Sequence, residues 1–438
     1  MPTRQIAAAI TLAITFAAGH AWGEARLGSS RADTSPAGRA PAKSRLPPEP
    51  ARLGATVETV LAAGRRLNPA LRAAALETLA AAAKAGAAGA LDDPMISDNY
   101  QFYRNPNVFS GHAITVTQAI PLWGKLSLRQ EAALADLEAM RGRERAARDA
   151  LDERIKVAFA QYFVASRALA VNHEVTILAR ALRSAAEARY GAGKGDQPAV
   201  IRALGEETAA EIERARLNGE RSAAREMLNA LLARPASAPL ADPLRLRHVP
   251  GRDLDIASLV DRARGSSPAL AVSGAEVSAA EARRSLAEKA WYPDLTVGAG
   301  PLLQTNDRPP GVAASIGLNI PLPWGKKPFE EQAAAAQLGA ARERYDAALL
   351  DIQSAIAEAR ERLKAARQAD SLVASKALPE ARAALKSITA DYAQGRGEFA
   401  MALEAQHRVH ALELRLLQLR LDAQIALAAI ERLIGGEL

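Results

Sequence analysis

Ile120-Pro121-Leu122-Trp123-Gly124-Lys125 returns about 200 residues later as Ile320-Pro321-Leu322-Pro323-Trp324-Gly325-Lys326, and the reading of this pair decides the fold. Asn68-Pro69-Ala70-Leu71 likewise recurs as Ser267-Pro268-Ala269-Leu270, and Tyr190-Gly191-Ala192-Gly193-Lys194-Gly195-Asp196 matches Tyr392-Ala393-Gln394-Gly395-Arg396-Gly397-Glu398. Leu228, Leu231 and Leu232 match Ile430, Leu433 and Ile434 in the same register. Copies this long are a duplicated domain and not a short-repeat solenoid. The first copy is assigned to 56–234, a linker or equatorial segment to 235–256 and the second copy to 257–438.

On either side of each motif the hydrophobic period changes. Before it the period is 2: Val312, Ala314, Ile316, Leu318 and Ile320 alternate with Ala313, Ser315, Gly317 and Asn319, and Leu295, Val297 and Ala299 alternate with Thr296, Gly298 and Gly300. Ile114 and Val116 alternate with Thr115 and Thr117, whereas the segment with Tyr100 and Phe102 on one face is spoiled by Asp98. The spacing predicts strands over about 95–103, 112–120, 293–301 and 311–320. Their length and two-faced pattern are those of an outer-membrane barrel. Four strands close no barrel, and an open edge in lipid leaves each unpaired backbone group costing several kcal/mol. Several chains must therefore share one barrel.

After each motif the period lengthens to that of helix. No proline occurs from Lys125 to Gln197, and a helix through most of that stretch runs on the order of 100 Å. Gly191, Gly193 and Gly195 turn it before Pro198, giving a long hairpin over 124–234. A second hairpin over 328–436 repeats the plan, with Pro379 marking a kink before its tip. Leu412, Leu416, Leu419, Ala423, Ala426, Ile430 and Leu433 follow the steps of a coiled-coil seam, and Leu414, Leu417, Leu421, Ile425 and Ala428 form a second row beside it. A helix with two apolar flanks lies between two neighbours, as in a sheet of helices or a helical barrel.

Composition narrows the class. The chain has 438 residues with 49% hydrophobic but only 4% aromatic content, which suits thin, Ala-rich helix packing. Its net charge of +7 comes from 56 Lys and Arg interleaved with 49 Asp and Glu, a solvated helix surface and no nucleic-acid footprint. Cysteine is absent, so disulfides and an N-terminal lipid anchor on cysteine are excluded. Met1 to Arg4, the apolar run Ile6 to Ala18 and Ala21-Trp22-Gly23 read as a signal peptide over 1–23, followed by a Pro-rich extended lead-in over 24–55. No later stretch is long and apolar enough for a transmembrane helix. Trp123, Trp291 and Trp324 each stand where a strand meets a helix, the positions of a membrane-interface belt.

These features together resemble the TolC family of outer-membrane factors, the exit ducts of tripartite efflux pumps and type I secretion systems. The resemblance covers nearly all of Val57 to Gly436. It is nearest to the branch serving heavy-metal cation efflux, on Asn68-Pro69, Asp93-Pro94-Met95, Gln118-Ala119-Ile120-Pro121-Leu122-Trp123-Gly124-Lys125 and Arg189-Tyr190-Gly191-Ala192-Gly193-Lys194. It implies a mainly α chain with a β-barrel part: a homotrimer whose twelve strands make one outer-membrane barrel, continued by a periplasmic α-helical barrel, in a Gram-negative bacterium. It also implies an inner-membrane proton-driven pump of the RND type and a periplasmic adaptor docking at the hairpin tips, here Tyr190, Gly193, Lys194, Tyr392, Gly395 and Arg396. In the family, acids just past the turn close the duct. The matching positions for the first acid are Ala199 and Met401, and for the second Arg202 and Glu404, so this chain departs from that pattern. Asp196, Glu398 and Glu404 remain as pore-tip acids that a trimer would arrange in rings of three.

No cysteine or third histidine lies near His407 and His410 in sequence, and five Met including the initiator are too few for a soft-metal relay, so no metal site is assigned. The Gly191 to Gly195 run lacks the Ser or Thr of a phosphate loop. No nucleophile with a base and no cofactor motif is found; a channel and not an enzyme is expected. The same duct serving drugs or secreted peptides is the alternative within transport, and a periplasmic coiled-coil adaptor or scaffold is the alternative of another class.

Overall fold

The computed structural model describes residues 53–438 apart from 103–110, 194, 196, 252, 305–308, 323, 395 and 397. The signal peptide and nearly all of the lead-in therefore lie outside the described residues. In the first repeat, helices α1 (Val57–Leu67) and α2 (Pro69–Ala88) precede strands β1 (Met95–Gln101) and β2 (Gly111–Ile120), then the hairpin of α3 (Lys125–Gly191) and α4 (Gln197–Leu231). The second repeat has α5 (Ile256–Ser266), α6 (Pro268–Lys289), β3 (Asp294–Gln304), β4 (Gly311–Asn319), α7 (Lys327–Leu372), a π-helical turn (Val373–Ala377), α8 (Leu378–Ala393) and α9 (Phe399–Ile434). Among the described residues no helix is long and apolar enough to cross a membrane.

The recurring Asn-Pro and Ser-Pro pairs start helices. Asn68 and Ser267 are the N-caps of α2 and α6, and Pro69 and Pro268 occupy the first turn, where a missing N–H costs nothing. Asn68 Oδ1 accepts from the Ala70 N–H at 2.8 Å while its Nδ2 donates to Leu231 O at 3.0 Å, tying the start of α2 to the end of α4. In the second hairpin the rising arm is not one helix with a proline kink. The strain is taken up by the π turn, and Pro379 sits in the first turn of α8 just beyond it.

The strands form one antiparallel sheet in the order β1-β2-β3-β4. Cross-strand partners share a face, so Ile96↔Val116, Val116↔Ala299, Val297↔Ile316 and Leu295↔Leu318 make an apolar surface, and Ser97↔Thr115 and Gly298↔Ser315 belong to a small, polar one. Asp98, the residue that spoils the β1 pattern, lies on the apolar face, where its carboxylate is 2.9 Å from His112 Nδ1; the His112 ring stacks against Tyr100 at 4.7 Å. Both β1 and β4 are edges without a partner strand among the described residues.

Below the sheet, contacts run α2-α3-α6-α7, and toward the tips they run α4-α3-α9 with α7 and α8 beyond. Helix α9 has the two flanks expected of it. Leu412 and Leu416 pack on Leu378 and Ala381 of α8, and Ala423, Ala426 and Ile430 pack on Ile352, Ile356 and Leu363 of α7. Leu414 and Leu417 turn the other way, onto Ala168 of α3 and Leu217 of α4. Burying each large aliphatic side chain contributes about 1.5–3 kcal/mol. The outer helices keep exposed apolar residues: Leu76 and Leu79 on α2, Ile201, Leu204 and Ile212 on α4, and Leu350 and Leu372 on α7.

One buried ionic cluster joins the repeats. Lys156 of α3 and Glu431 of α9 are 5% and 6% exposed and 2.8 Å apart, and Arg247 of the linker reaches the same carboxylate at 2.7 Å. Gln424 Nε2 donates to Arg247 O at 2.7 Å, holding the linker against α9.

Candidate functional sites at the two ends of the hairpins

At the strand end, the Pro-Leu-Trp-Gly-Lys motif is a turn that grips the other repeat. Trp123 and Gly124 both adopt positive φ, 63° and 75°, which reverses the chain between β2 and α3. Trp123 Nε1 donates to Pro293 O at 2.8 Å and its ring lies 5.4 Å from that of Tyr292. Lys125 is buried, with Nζ donating to Tyr292 O at 2.8 Å and to Asp294 Oδ1 at 2.7 Å. The start of β3 is thus clamped by the end of β2. Trp291 Nε1 donates to Glu331 Oε2 at 2.8 Å, and Trp324 is exposed. All three tryptophans stand at strand-to-helix junctions, as the sequence places them.

At the other end the two tips share one core. Leu182 and Ala186 of α3, Ala203 of α4 and Phe399 and Ala402 of α9 enclose Tyr392 of α8. Tyr392 meets Phe399 edge-on at 5.8 Å, and Arg189 lies 4.8 Å over the Tyr392 ring while donating to its carbonyl at 3.1 Å. Tyr190 and Tyr392 occupy equivalent positions of the two repeats but different environments. Tyr190 is exposed, but the Tyr392 ring is core, so its matching position serves cohesion of the tips. Gly193 has φ 70° and turns the first tip, and Arg396 is exposed on the second, bonded to Asp391 and Gln394. Lys194, Asp196 and Gly395 lie outside the described residues. Glu398 is the exposed N-cap of α9, without a side-chain cap bond, and Glu404 is exposed one turn further on. The aromatic tip core and its Arg189 bridge were missed; the scarcity of aromatics in this chain made Tyr392 and Phe399 the available signal.

Between tip and base, His407 Nε2 is 2.9 Å from Glu206 Oε2. His410 is half-buried, and burial, opposed by Glu413 and Glu213 and aided by His407, lowers its pKa. Arg216 and Arg382 hold those two carboxylates. Among the described residues no group of three or more His, Asp or Glu is placed to hold a metal ion. A histidine kept neutral by the fold binds a proton more readily once unfolded. Its contribution is therefore present above the ordinary histidine pKa of about 6.5 and lost as pH falls toward the lowered native value. Melting temperature measured from pH 7.5 to 5 should fall more for the native protein than for His410→Gln.

The chain belongs to the outer membrane efflux protein family, the TolC type of channel, which it matches over residues 63–234 and 259–436. The cobalt-zinc-cadmium resistance protein CzcC of Cupriavidus metallidurans is 27% identical over 325 residues, covering 72% of this chain and 75% of that protein. Among solved structures, CusC superposes with a TM-score of 0.73 at 17% identity, covering 87% of this chain and 92% of that one. The outer membrane protein VceC of Vibrio cholerae gives a TM-score of 0.73 at 18% identity, covering 87% and 96%. A membrane protein from Pseudomonas aeruginosa gives 0.74 at 20% identity, covering 87% and 90%. The mixed fold of long helices and a small antiparallel sheet is the fold of these channels.

Proposed function

We propose that the chain is one subunit of a homotrimeric exit duct of a tripartite pump, and that the cargo is a heavy-metal cation. What carries the duct reading is the two open edges of a two-faced, membrane-height sheet. In lipid those edges require partners, and β4 of one copy pairing with β1 of the next satisfies every edge when the ring closes. The exposed apolar residues on the outer helices support the same closure in the periplasmic part. The polar sheet face, with Ser97, Thr115, Thr117, Ser315 and Asn319, then lines the lumen, and Trp123, Trp291 and Trp324 lie at the periplasmic membrane interface.

The duct supplies a path and no driving force. A proton-driven inner-membrane RND pump and a periplasmic adaptor complete the machine, with the adaptor docking at Tyr190, Gly193, Lys194, Gly395 and Arg396. Rings of three Asp196, Glu398 and Glu404 attract cations at the entrance. The metal cargo is supported by the likeness to a protein named for cobalt, zinc and cadmium resistance. Growth of a deletion strain on zinc, cobalt, cadmium, nickel, copper, silver and several drugs tests it. Sensitivity to a set of cations, reversed by the intact gene, is expected. Sensitivity to drugs alone would assign the duct to multidrug efflux.

A further inference from the structure

The clamp between the repeats has a second half that grips no strand among the described residues. In the first repeat, Trp123 and Lys125 after β2 grip Pro293 and Asp294 at the start of β3. The two strand hairpins correspond residue for residue: the pair Met95↔Thr117 falls on Thr296↔Gly317. Continued by two residues, that correspondence places Asp93 on Asp294, while the turn motif places Trp324 and Lys326 on Trp123 and Lys125. Yet β4 ends the sheet, so among the described residues no strand lies beyond it for these arms. Trp324 is 80% exposed where Trp123 is hydrogen-bonded, and the Lys326 side chain is 80% exposed where Lys125 is buried. Lys326 reaches Glu330, one turn along its own helix, at 3.1 Å. Asp93 is exposed and makes no ion pair among the described residues.

We propose that Lys326 and Trp324 clamp the start of β1 in the next copy of the chain, with Lys326 on the carboxylate of the partner subunit's Asp93. This inference rests on the trimeric reading and specifies its contact. Each subunit boundary would then repeat the boundary between the two halves of one chain. Carrying the β2–β3 register across gives a check. The pair Gln118↔Val297 becomes Leu318 opposite the partner subunit's Ile96, and Thr117↔Gly298 becomes Gly317 opposite the partner subunit's Ser97. Apolar meets apolar and small meets polar, so both sheet faces continue unbroken across the boundary. A register slipped by one residue would put Leu318 beside the polar face. Pro323 adds one residue to the second turn, a difference the long, flexible lysine stem absorbs.

The chain has no cysteine, so introduced pairs report without background. In outer membranes, Leu318→Cys with Ile96→Cys tests the strand pairing, since paired strands bring Cα atoms within disulfide range. This pair should oxidise to covalent dimers and trimers on denaturing gels. Lys326→Asp should reduce the detergent-resistant assembly, and adding Asp93→Lys to the same chain should restore it. Strand cross-links with a double reversal no better than the single one would overturn the clamp and leave the trimer standing. Absence of the strand cross-link in a monomeric protein would overturn the trimeric reading as well.

Discussion

Glu431→Gln should cost about 3–5 kcal/mol, because it removes the buried carboxylate that Lys156 and Arg247 share and leaves the buried Lys156 charge without compensation. The glutamine keeps the shape and can still accept a hydrogen bond, so the loss reports charge and not packing. Glu437 lies 3.7 Å from Lys156, but its side chain is 70% exposed and screened by water, so it compensates little. The damage should spread beyond α9. Arg247 carries the linker, and Gln424 holds its carbonyl, so the 235–255 segment should loosen together with the α3–α9 contact. Thermal melting followed by circular dichroism should show the drop, and increased protease cutting near residue 247 should accompany it. A melting temperature unchanged from the native protein would mean that the cluster is solvated in the assembled molecule.

Gly300→Ala should prevent formation of the sheet. A Cβ at this position would lie 1.8 Å from Ile114 O, a backbone atom that cannot rotate away. Pairing of β2 with β3 skips from Ala113↔Leu302 to Val116↔Ala299, because Pro301 has no N–H to donate and Gly300 lets the strands close in at the gap. This gap in the pairing lies at the boundary of the two repeats, where a sheet destined for a barrel needs curvature. The penalty exceeds about 4 kcal/mol, the range of backbone strain combined with lost pairing. Assembled protein should disappear from the outer membrane. Gly317→Ala is the control: its Cβ meets nothing closer than 3.8 Å, and the variant should assemble normally. Equal behaviour of the two variants would contradict the observed register.

The strands and long hairpins were legible because their signals are local and periodic. Val312 to Ile320 alternates cleanly, and the two apolar rows of α9 required two neighbours before any neighbour was known. The shorter helices were not read. Helix α2 is more than half alanine, so no strong apolar stripe marks a face, although Asn68-Pro69 was a readable start signal. The π turn at Val373–Ala377 has no distinctive composition, and Pro379 alone pointed to a simple kink. Lys156 and Glu431 look like ordinary surface charges in their helices, because their burial comes from packing 275 positions apart. At the tip, the repeat correctly aligned Tyr190 with Tyr392, but alignment carries no knowledge of which copy faces inward. The duplication nevertheless gave the register that relates one strand hairpin to the other.

Native mass spectrometry of the complex extracted gently from outer membranes should give one species of three copies, since the four described strands and their two open edges require closure by neighbours. A folded, membrane-extracted monomer with its β1 and β4 edges unpaired would contradict it.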